Sequence, residues 1–467
     1  MKPVVKWSVR LGLALTTLLL LVPLATLTRV DQTPFRDLPA WQDTAARLLE
    51  LRAGTNVVFG ELRAGFGRAR LTPALGAEQD EPDQGRFRAV PLAGYGARQG
   101  RPATGVHQEL WVKAVAFAVA GQTGVMVSAD ALIIPREVAD LAARQVREAR
   151  GVTREAVYLS ATHTHSSLGG WGEGFVAEAF AGGFVAGVRE WYAGQLAAAA
   201  IAALDDLSPA SCGQGGFEAP EYVRNRLLGE DAPKDPDFRL LYVQQADGDT
   251  AVLGSYAAHS TVLPAANLEF SGDYPGYWSL AVERATGGLA LFLAGGMGSH
   301  GPRAGAPGFA GAQRMGEALA TRTAEALTNL VLTNRLTFGL AAAEATLPAL
   351  QVRVSNGVRL RPWVARGLLS VPATTWIQGL RVGNALWFST PCDFSGELAL
   401  GVKVAAREQG LAAAVTSFNG DYVGYVIPAK YYPLAGYEPR TMSFFGPQLP
   451  DQFMAVLGEL TAVLADR

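Results

Sequence analysis

The sequence predicts an α/β fold in which a mixed, partly parallel sheet is flanked by helices and carries its site at the carboxyl ends of the strands. Three observations lead to this prediction. A strand, helix, strand order is readable between residues 121 and 161, further apolar runs follow as far as residue 417, and most histidines come directly after such a run. Because 49% of the 467 residues are hydrophobic and 18% are charged, the chain can bury a large core.

The first thirty residues predict a targeting segment. Lys2, Lys6 and Arg10 precede an uncharged run at 11–27 that is rich in Leu, Ala and Val. No convincing small-x-small cleavage site follows, which favours a retained signal-anchor over a cleaved signal peptide, and both alternatives remain open. The basic N-terminal end predicts that the rest of the chain lies on the non-cytoplasmic side of a membrane, or is secreted if the segment is cleaved. Residues 31–60 are expected to be a linker and residues 61–467 a single domain.

The region 121–161 fits a βαβ unit. Residues 121–127 and 156–161 are apolar and β-branched enough for buried strands. Between them, the helical face of 135–150 carries five apolar side chains: Val138, Leu141, Ala142, Val146 and Ala149. A helix that connects two strands in this way predicts that the strands are parallel.

Later elements are shorter or mixed. Residues 246–249, Ala-Asp-Gly-Asp, predict a hairpin turn, residues 313–330 a long helix, and residues 376–380 and 385–388 short strands. The stretch 169–183 is rich in glycine and aromatic residues and is typical of a loop over a site.

Charge and cysteine content exclude several classes of protein. Forty Lys and Arg against 42 Asp and Glu leave a net charge of −2 with no long block of one sign, so nucleic acid is not expected as a partner. Cys212 and Cys392 allow at most one disulfide and lack the spacing of a zinc knuckle or a redox pair.

The candidate functional residues follow apolar runs. The run ending at residue 161 leads to His163 and His165, and the run 252–258 leads to His259. The run 289–293 leads to a glycine-rich loop with Ser299 and His300. In the same way, residues 386–392 precede Asp393, and residues 413–417 precede a segment with four polar or aromatic candidates: Asn419, Asp421, Tyr422 and Tyr425. Four of the five histidines therefore follow predicted strands.

Two histidines separated by one residue on an extended chain share a face, as metal ligation requires. Each residue also has a structural interpretation. His259 fits a hydrogen-bonded core histidine, Asp393 the N-cap of a following helix, and Tyr422 and Tyr425 packing aromatics. Recurrence at several strand ends favours a metal site, and both interpretations stay open.

The order of the motifs resembles that of the neutral (non-lysosomal) ceramidases, zinc-dependent amidases that split ceramide into sphingosine and fatty acid. The resemblance extends from about residue 64 to residue 437. It rests on these segments in this order: Gly65-Phe66-Gly67-Arg68-Ala69, 71–73, 91–96, 104–111, Ser160-Ala161-Thr162-His163-Thr164-His165-Ser166, Asn225-Arg226, 256–261 and 272–277.

The resemblance implies that one Zn²⁺ is held by four side chains: His163, His259, Asp393 and Tyr425. The family has a glutamate where this sequence has Asp393, so the carboxylate here is one methylene shorter. Tyr437 stands twelve residues after Tyr425, as the second active-site tyrosine does in the family. His165 and Tyr437 are implied to orient or protonate the leaving amine, and Arg226 to hold a polar headgroup.

One catalytic position departs from the family. The family's Gly-Asp-x-Ser-Pro motif aligns with Gly298-Ser299-His300-Gly301-Pro302, so Gly301 occupies the serine position. Ser299 is a catalytic candidate only in a shifted alignment, where it would replace the aspartate of the motif. Thirty residues follow Tyr437, so only the catalytic domain of the family is expected.

The expected function is zinc-dependent hydrolysis of an N-acyl amide in a small molecule or lipid, in sphingolipid metabolism, with water rather than serine as the attacking group. Two alternatives remain. A non-catalytic, membrane-anchored protein would keep the zinc as a structural element, and a different zinc hydrolase would use the same residues on esters, lactones or short peptides.

Overall fold

A computed structural model describes residue 10, residues 21–369 and residues 371–465. The apolar run 11–27 therefore lies mostly outside the described residues, and only its end, residues 21–26, is seen to be helical. In the described ranges, no helix combines the length and the apolar character needed to cross a bilayer.

The strands of the described chain are, in order, β1 (Leu27–Arg29), β2 (Val57–Arg70), β3 (Ala74–Leu75), β4 (Arg86–Phe87), β5 (Gly105–Val106), β6 (Trp111–Val119), β7 (Gln122–Ala129), β8 (Val157–Ala161), β9 (Ser208–Glu218), β10 (Val223–Asn225), β11 (Asp237–Gln245), β12 (Thr250–Tyr256), β13 (Glu269–Phe270), β14 (Leu289–Ala294), β15 (His300–Pro302), β16 (Arg335–Thr346), β17 (Val358–Leu360), β18 (Thr374–Val382), β19 (Ala385–Thr390), β20 (Asp393–Phe394), β21 (Ala412–Ser417) and β22 (Tyr425–Val426).

The α-helices of the same ranges, numbered after residues 21–26, are α1 (Pro39–Gly54), α2 (Arg136–Arg150), α3 (Phe175–Ala181), α4 (Ala186–Asp205), α5 (Asp273–Thr286), α6 (Gly308–Leu327), α7 (Pro362–Leu368), α8 (Gly396–Glu408) and α9 (Gln448–Ala465). A single π-helical turn, Tyr437–Met442, precedes α9.

Twelve strands form one mixed sheet. Its order is β14-β12-β11-β9-β2-β16-β18-β19-β21, and β6, β7 and β8 extend from β2. The pairs β7/β8, β12/β14 and β19/β21 are parallel, whereas the other ladders of this sheet are antiparallel. The predicted mixed, partly parallel sheet with flanking helices is confirmed.

The sheet folds back on itself. One core cluster consists of strand residues alone and brings together Phe117 of β6, Leu253 of β12, Leu380 of β18 and Trp387 of β19. The other three clusters each pack helices against an outer face of the sheet. Since the interior between the two halves of the sheet is apolar, polar side chains are left for the strand ends, where the parallel pairs stop.

The βαβ prediction is confirmed by β7, α2 and β8, and Gly151 ends α2 in the left-handed conformation that glycine adopts without strain. The hairpin prediction is confirmed by β11 and β12, with Gly248 at a positive φ of 106° in the turn. The helix predicted at 313–330 begins and ends slightly earlier, as α6, and both short strands predicted after residue 375 are present.

The predicted linker at 31–60 is wrong for much of its length. Residues Pro39–Gly54 form α1, which begins with a proline and buries Ala40, Thr44 and Leu48. Thr44 Oγ1 also accepts a hydrogen bond from the backbone N–H of Thr346 at 3.0 Å, so α1 is joined to β16. The helix is hard to recognise because a threonine lies in its buried face while Leu49 is 72% exposed.

Candidate metal centre

The sequence-predicted residues converge where parallel strands end. His163 follows β8, His259 follows β12, and Asp393 follows β19, while the loop after β21 leads to Tyr425. Residues 393–394 and 425–426 then pair as the short parallel strands β20 and β22, so the carboxylate and the tyrosine are fixed next to each other by the backbone. The site thus lies at the carboxyl ends of the strands, as the fold predicts.

Three histidines form a buried cluster. Nε2 of His163 lies 2.9 Å from Nε2 of His259 and 3.3 Å from Nε2 of His165. The three side chains each offer a nitrogen within 4.8 Å of the others, a spacing that suits one metal ion.

The protons of two of these rings can be assigned from their partners. Nδ1 of His163 lies 2.6 Å from the carbonyl oxygen of Leu132, and Nδ1 of His259 lies 3.2 Å from that of Met297. A carbonyl oxygen only accepts, so each Nδ1 carries the proton and, in a neutral ring, each Nε2 presents a lone pair. Burial lowers the pKa of His163 to about 3 and that of His259 well below its ordinary value, so both rings are neutral.

Two lone pairs 2.9 Å apart repel unless a cation lies between or beside them. Carbonyl bonds at Nδ1 are also the arrangement that orients metal-bound histidines. His165 differs, because its Nδ1 is buried without a hydrogen-bond partner. The geometry therefore separates His163 and His259, which are oriented like metal ligands, from His165, which is not.

Asp393 completes a mixed nitrogen and oxygen donor set. Its Oδ1 lies 3.5 Å from Nε2 of His163 and 3.9 Å from Nε2 of His259, and it has no hydrogen-bond partner. Burial raises the pKa of Asp393 to about 7, against the opposing effect of the Arg226 guanidinium. An orphaned, buried carboxylate oxygen facing two imidazole lone pairs fits a divalent metal ion with zinc-like preferences.

Asp393 does not cap a helix. The helix α8 begins at Gly396 with Ser395 as its N-cap residue, and Asp393 belongs to β20 instead. Oδ2 of Asp393 accepts a hydrogen bond from the hydroxyl of Tyr422 at 2.9 Å. This bond leaves Oδ1 as the oxygen that faces the histidines.

Tyr425 is held by Arg226. A guanidinium nitrogen, Nη2, donates to the Tyr425 hydroxyl at 3.0 Å, and Nε lies 2.9 Å from a carboxylate oxygen of Glu438. The Tyr437 ring meets the Tyr425 ring edge to face at a centroid distance of 5.6 Å. Burial, and then the carboxylate of Asp393, hold the pKa of Tyr425 well above its ordinary value.

His163 sits in a strained backbone position. Its φ is +59°, and the same left-handed region is occupied by Phe418, with φ of +67°. The two rings are stacked at 4.1 Å with planes 11° apart. Non-glycine residues in this region cost free energy and persist where the surrounding structure holds them, which is typical of functional sites.

The glycine-rich loop after β14 serves a different purpose. Ser299 Oγ accepts a hydrogen bond from the backbone N–H of Gly396 at 3.1 Å and lies 3.1 Å from Oγ of Ser395, so it supports the start of α8. The buried His300 accepts a bond from the N–H of Asp235 at 3.3 Å and lies outside the histidine cluster. Gly301 pairs with Arg224 in the β10/β15 ladder.

A cavity of about 680 Å³ opens beside the cluster. Its polar end is lined by His163, His165, Asp393, Tyr425 and Tyr437. The rest is lined by apolar side chains, which include Leu132, Ile133, Trp171, Val176, Phe180, Leu369, Val371 and Phe444, and by five charged side chains: Arg136, Glu137, Glu173, Arg189 and Asp421. The stretch 169–183 contributes Trp171, Val176 and Phe180, and it contains the short helix α3 where the sequence predicts a loop.

Sequence reasoning treated Tyr422 only as a packing aromatic and missed its bond to Asp393. Tyr422 stands three residues before Tyr425, so the sequence places the two tyrosines in one segment, but it does not indicate that Tyr422 bonds to Asp393. The carbonyl partners Leu132 and Met297 were missed as well, since a backbone oxygen leaves no trace in the residue type.

Comparisons with known proteins agree with the motif order. Residues 84–295 match the family model described as neutral/alkaline non-lysosomal ceramidase, N-terminal. A search of curated proteins finds no match. Among solved structures, the neutral ceramidase from Pseudomonas aeruginosa is 20% identical with a TM-score of 0.72, covering 87% of this chain and 75% of its own. A structure described as ceramidase complexed with C2 is 19% identical over the same shares, also with a TM-score of 0.72. Residues 84–295 thus match the N-terminal part of the neutral/alkaline non-lysosomal ceramidase family, and the fold is similar to that of the neutral ceramidase structures.

Proposed function

We propose that the protein is a zinc-dependent hydrolase of an N-acyl amide bond, with His163, His259, Asp393 and Tyr425 holding one Zn²⁺. The observation that carries this is the pair of imidazole lone pairs 2.9 Å apart, faced by an unpartnered carboxylate oxygen. The family match over residues 84–295 supports the hydrolysis of an amide, and the solved structures of similar fold are named as ceramidases. When bound, the ion would polarise the acyl carbonyl and activate water.

The remaining polar groups have distinct roles. His165 keeps an unpartnered Nδ1 and lines the cavity, so it is free to orient or protonate the leaving amine. Tyr437 also lines the cavity, and we assign it the same role as His165, which is to orient or protonate the leaving amine. Arg226 already engages Tyr425 and Glu438, and we propose that its main effect is to stabilise the hydroxyl oxygen of Tyr425, with a polar headgroup as a further contact.

The cavity favours a substrate with an acyl chain. Its polar end holds the candidate ligands, whereas Val176, Phe180, Leu369 and Phe444 give the remaining wall an apolar character. Burial of an alkyl chain against such a wall contributes about 0.8 kcal/mol per CH₂ group. An N-acyl lipid of the ceramide type therefore fits better than a short polar amide.

A non-catalytic protein with a structural zinc is the second candidate. Gly301 offers no hydroxyl at the position of the family serine, and Ser299 is engaged with Ser395 and Gly396. In this case the same four ligands would hold the metal as a fold element without turnover.

We also propose that the N-terminal run 11–27 holds the domain at a membrane, on the non-cytoplasmic side, or directs its secretion if it is cleaved. The basic residues that precede this apolar run support the orientation.

Metal analysis of the purified protein tests the site. About one equivalent of zinc is expected in the parent and little in His163→Ala and His259→Ala. The matched control is His107→Ala, which removes an exposed histidine hydrogen-bonded to Tyr277. Full zinc occupancy in both cluster variants would refute the ligand assignment.

A substrate panel tests the reaction. N-acyl lipids are expected to be hydrolysed faster than simple amides by the zinc-loaded parent. Preference for esters or lactones would indicate a different zinc hydrolase. No hydrolysis of any of these by a fully loaded, folded protein would favour the non-catalytic candidate.

A further inference from the structure

Large apolar side chains are exposed around one end of the cavity. Five of them define what we call the rim surface: Val354 (55% exposed), Trp363 (65%), Leu368 (52%), Leu434 (40%) and Tyr437 (44%). Isolated exposed apolar residues are ordinary, but a contiguous group beside a cavity is typical of an interaction site.

The rim surface is continuous because its segments are bonded to one another. A guanidinium nitrogen of Arg353 donates to the carbonyl oxygens of Leu434 at 3.1 Å and Pro439 at 2.8 Å. Arg440 donates to the side-chain oxygen of Asn356 at 2.7 Å. The loop that carries Leu434 and Tyr437 therefore lies against the hairpin that leads into α7, the helix of Trp363 and Leu368.

The N-terminal segment arrives at the same place. β1 pairs with β17, which ends two residues before α7, and the N–H of Arg361 donates to the carbonyl oxygen of Thr26 at 2.7 Å. The preceding residues Leu21, Val22 and Leu24 are 47–69% exposed. The described end of the apolar run, residues 21–26, thus lies beside the rim surface, where Arg361 also donates to the carbonyl oxygen of Leu24 at 3.1 Å.

The rim surface also borders the route to the candidate metal centre. Leu368 is followed by Leu369, which lines the cavity together with Val371, and Tyr437 is both exposed and part of the cavity wall. An acyl chain entering between these residues would contact apolar side chains both on the rim surface and inside the cavity.

The charge of this region suits an anionic surface. Residues 345–392 contain no aspartate or glutamate, whereas Arg361 and Arg366 are exposed next to Trp363. Aromatic and aliphatic side chains flanked by arginines are the combination that binds the interface of bilayers with anionic headgroups. We infer that the rim surface docks onto an anionic lipid bilayer and places the cavity mouth against it.

The test uses the full chain. Because the N-terminal run alone can bring the protein to vesicles, the measurement must report on the rim surface itself rather than on binding of the whole protein. A fluorophore sensitive to its surroundings, NBD, is attached to Trp363→Cys, with Leu368→Cys as a second site on the rim surface. Cys212 and Cys392 are buried, so the introduced thiol reacts selectively. The matched control is Val331→Cys, at an aliphatic residue that is 88% exposed outside the rim surface.

Vesicles of phosphatidylcholine are compared with vesicles that also contain phosphatidylglycerol. Emission from the labels at 363 and 368 is expected to shift to the blue and brighten with the anionic vesicles, while the label at 331 is unchanged. Arg366→Gln should raise the lipid concentration needed for half the effect severalfold. In the protein labelled at residue 363, Leu368→Ala should raise the lipid concentration needed for half the effect by up to about tenfold.

Three results would overturn docking by this surface. The first is unchanged emission from the labels at 363 and 368 while the protein co-floats with vesicles. The second is an equal response of all three labels. The third is a response of the rim labels to protein concentration without lipid, which would indicate contact with a second copy of the chain. Fluorescence requires neither zinc nor turnover, so failure here is distinguishable from failure of the proposed hydrolysis.

Discussion

The strand-end side chains and the glycine-rich loop 294–302 lie at the same edge of the sheet, yet their polar atoms are used differently. Around the histidine cluster, Oδ1 of Asp393 and Nδ1 of His165 are buried without partners. In the loop, the hydroxyl of Ser299 is bonded to the start of α8, and His300 is bonded to Asp235. Unsatisfied buried polar atoms are costly, and here two residues that carry such atoms line the same cavity, which makes this region the candidate for binding a ligand.

This difference indicates where the chemistry lies. The strand-end region leaves buried donor atoms unpartnered, as the proposed metal site would require, whereas Ser299 and Met297 of the loop bond to the start of α8 and to the ring of His259. Substitutions in the two regions should therefore differ, with the main effect on zinc affinity in the strand-end region and on stability in the loop.

The largest effect is expected at Asp393. Among the residues that the structure describes, Asp393 is the one whose carboxylate faces both histidines, so Asp393→Ala should lower zinc affinity by more than the roughly 10–100-fold typical of residues that only orient ligands. Asp393→Glu should retain zinc, since glutamate keeps the carboxylate and is the residue that the family resemblance implies at this position. Inductively coupled plasma mass spectrometry after dialysis against a chelator series measures both. Equal affinities of the two variants would remove Asp393 from the ligand set.

Tyr422→Phe should have the next largest effect. Without the hydroxyl, Oδ2 of Asp393 loses its hydrogen bond and the carboxylate is no longer fixed with Oδ1 towards the histidines. Zinc affinity is expected to fall by about 10–100-fold with the fold retained. Calorimetric titration with zinc measures this loss.

Tyr432→Phe is the matched control for Tyr422. Its hydroxyl donates to the carbonyl oxygen of Gln351 at 2.8 Å, so its loss should lower the free energy of unfolding by about 1 kcal/mol without changing zinc affinity. If Tyr422→Phe behaves like this control, Tyr422 is a packing residue.

The sequence predicts the positions of these groups better than their connections. His163 and His259 are found because an apolar run ends just before each, and sheet topology then brings strand ends together. Asp393 and Tyr425 depend on family resemblance, because a carboxylate after Pro-Cys also fits a helix cap. The bond between Tyr422 and Asp393 and the carbonyl partner of His163 arise from tertiary packing over 29 and 31 residues, which no local pattern encodes. The helix α1 is missed because its exposed and buried faces both carry leucine.

A smaller effect is expected for Ser299→Ala. The substitution removes the acceptor for the N–H of Gly396 at the start of α8, so the free energy of unfolding should fall by about 1 kcal/mol. If water attacks the amide, kcat/KM should stay within about tenfold of the parent, or about 1.4 kcal/mol. Stopped assays on an N-acyl lipid measure kcat/KM for the parent and for Ser299→Ala, and the zinc content of both proteins is measured in parallel. Collapse of kcat/KM with zinc and fold intact would make Ser299 a catalytic residue.

The smallest structural effect is expected for Gly301→Ser, which places a hydroxyl at the position that the family resemblance aligns with a serine. Gly301 is not at a positive φ, and an added Cβ would first meet Nε of Arg224 at 3.4 Å, an ordinary contact. The free energy of unfolding should therefore change by no more than about 0.5 kcal/mol, the usual range for a substitution without a clash. Zinc affinity should be unchanged, because no candidate ligand contacts residue 301. With water as the attacking group, kcat/KM should again stay within about tenfold of the parent. A gain of several orders of magnitude over an inactive parent would mean that the metal region alone does not support turnover, and it would establish the natural chain as a non-catalytic relative whose loop had lost the reacting group.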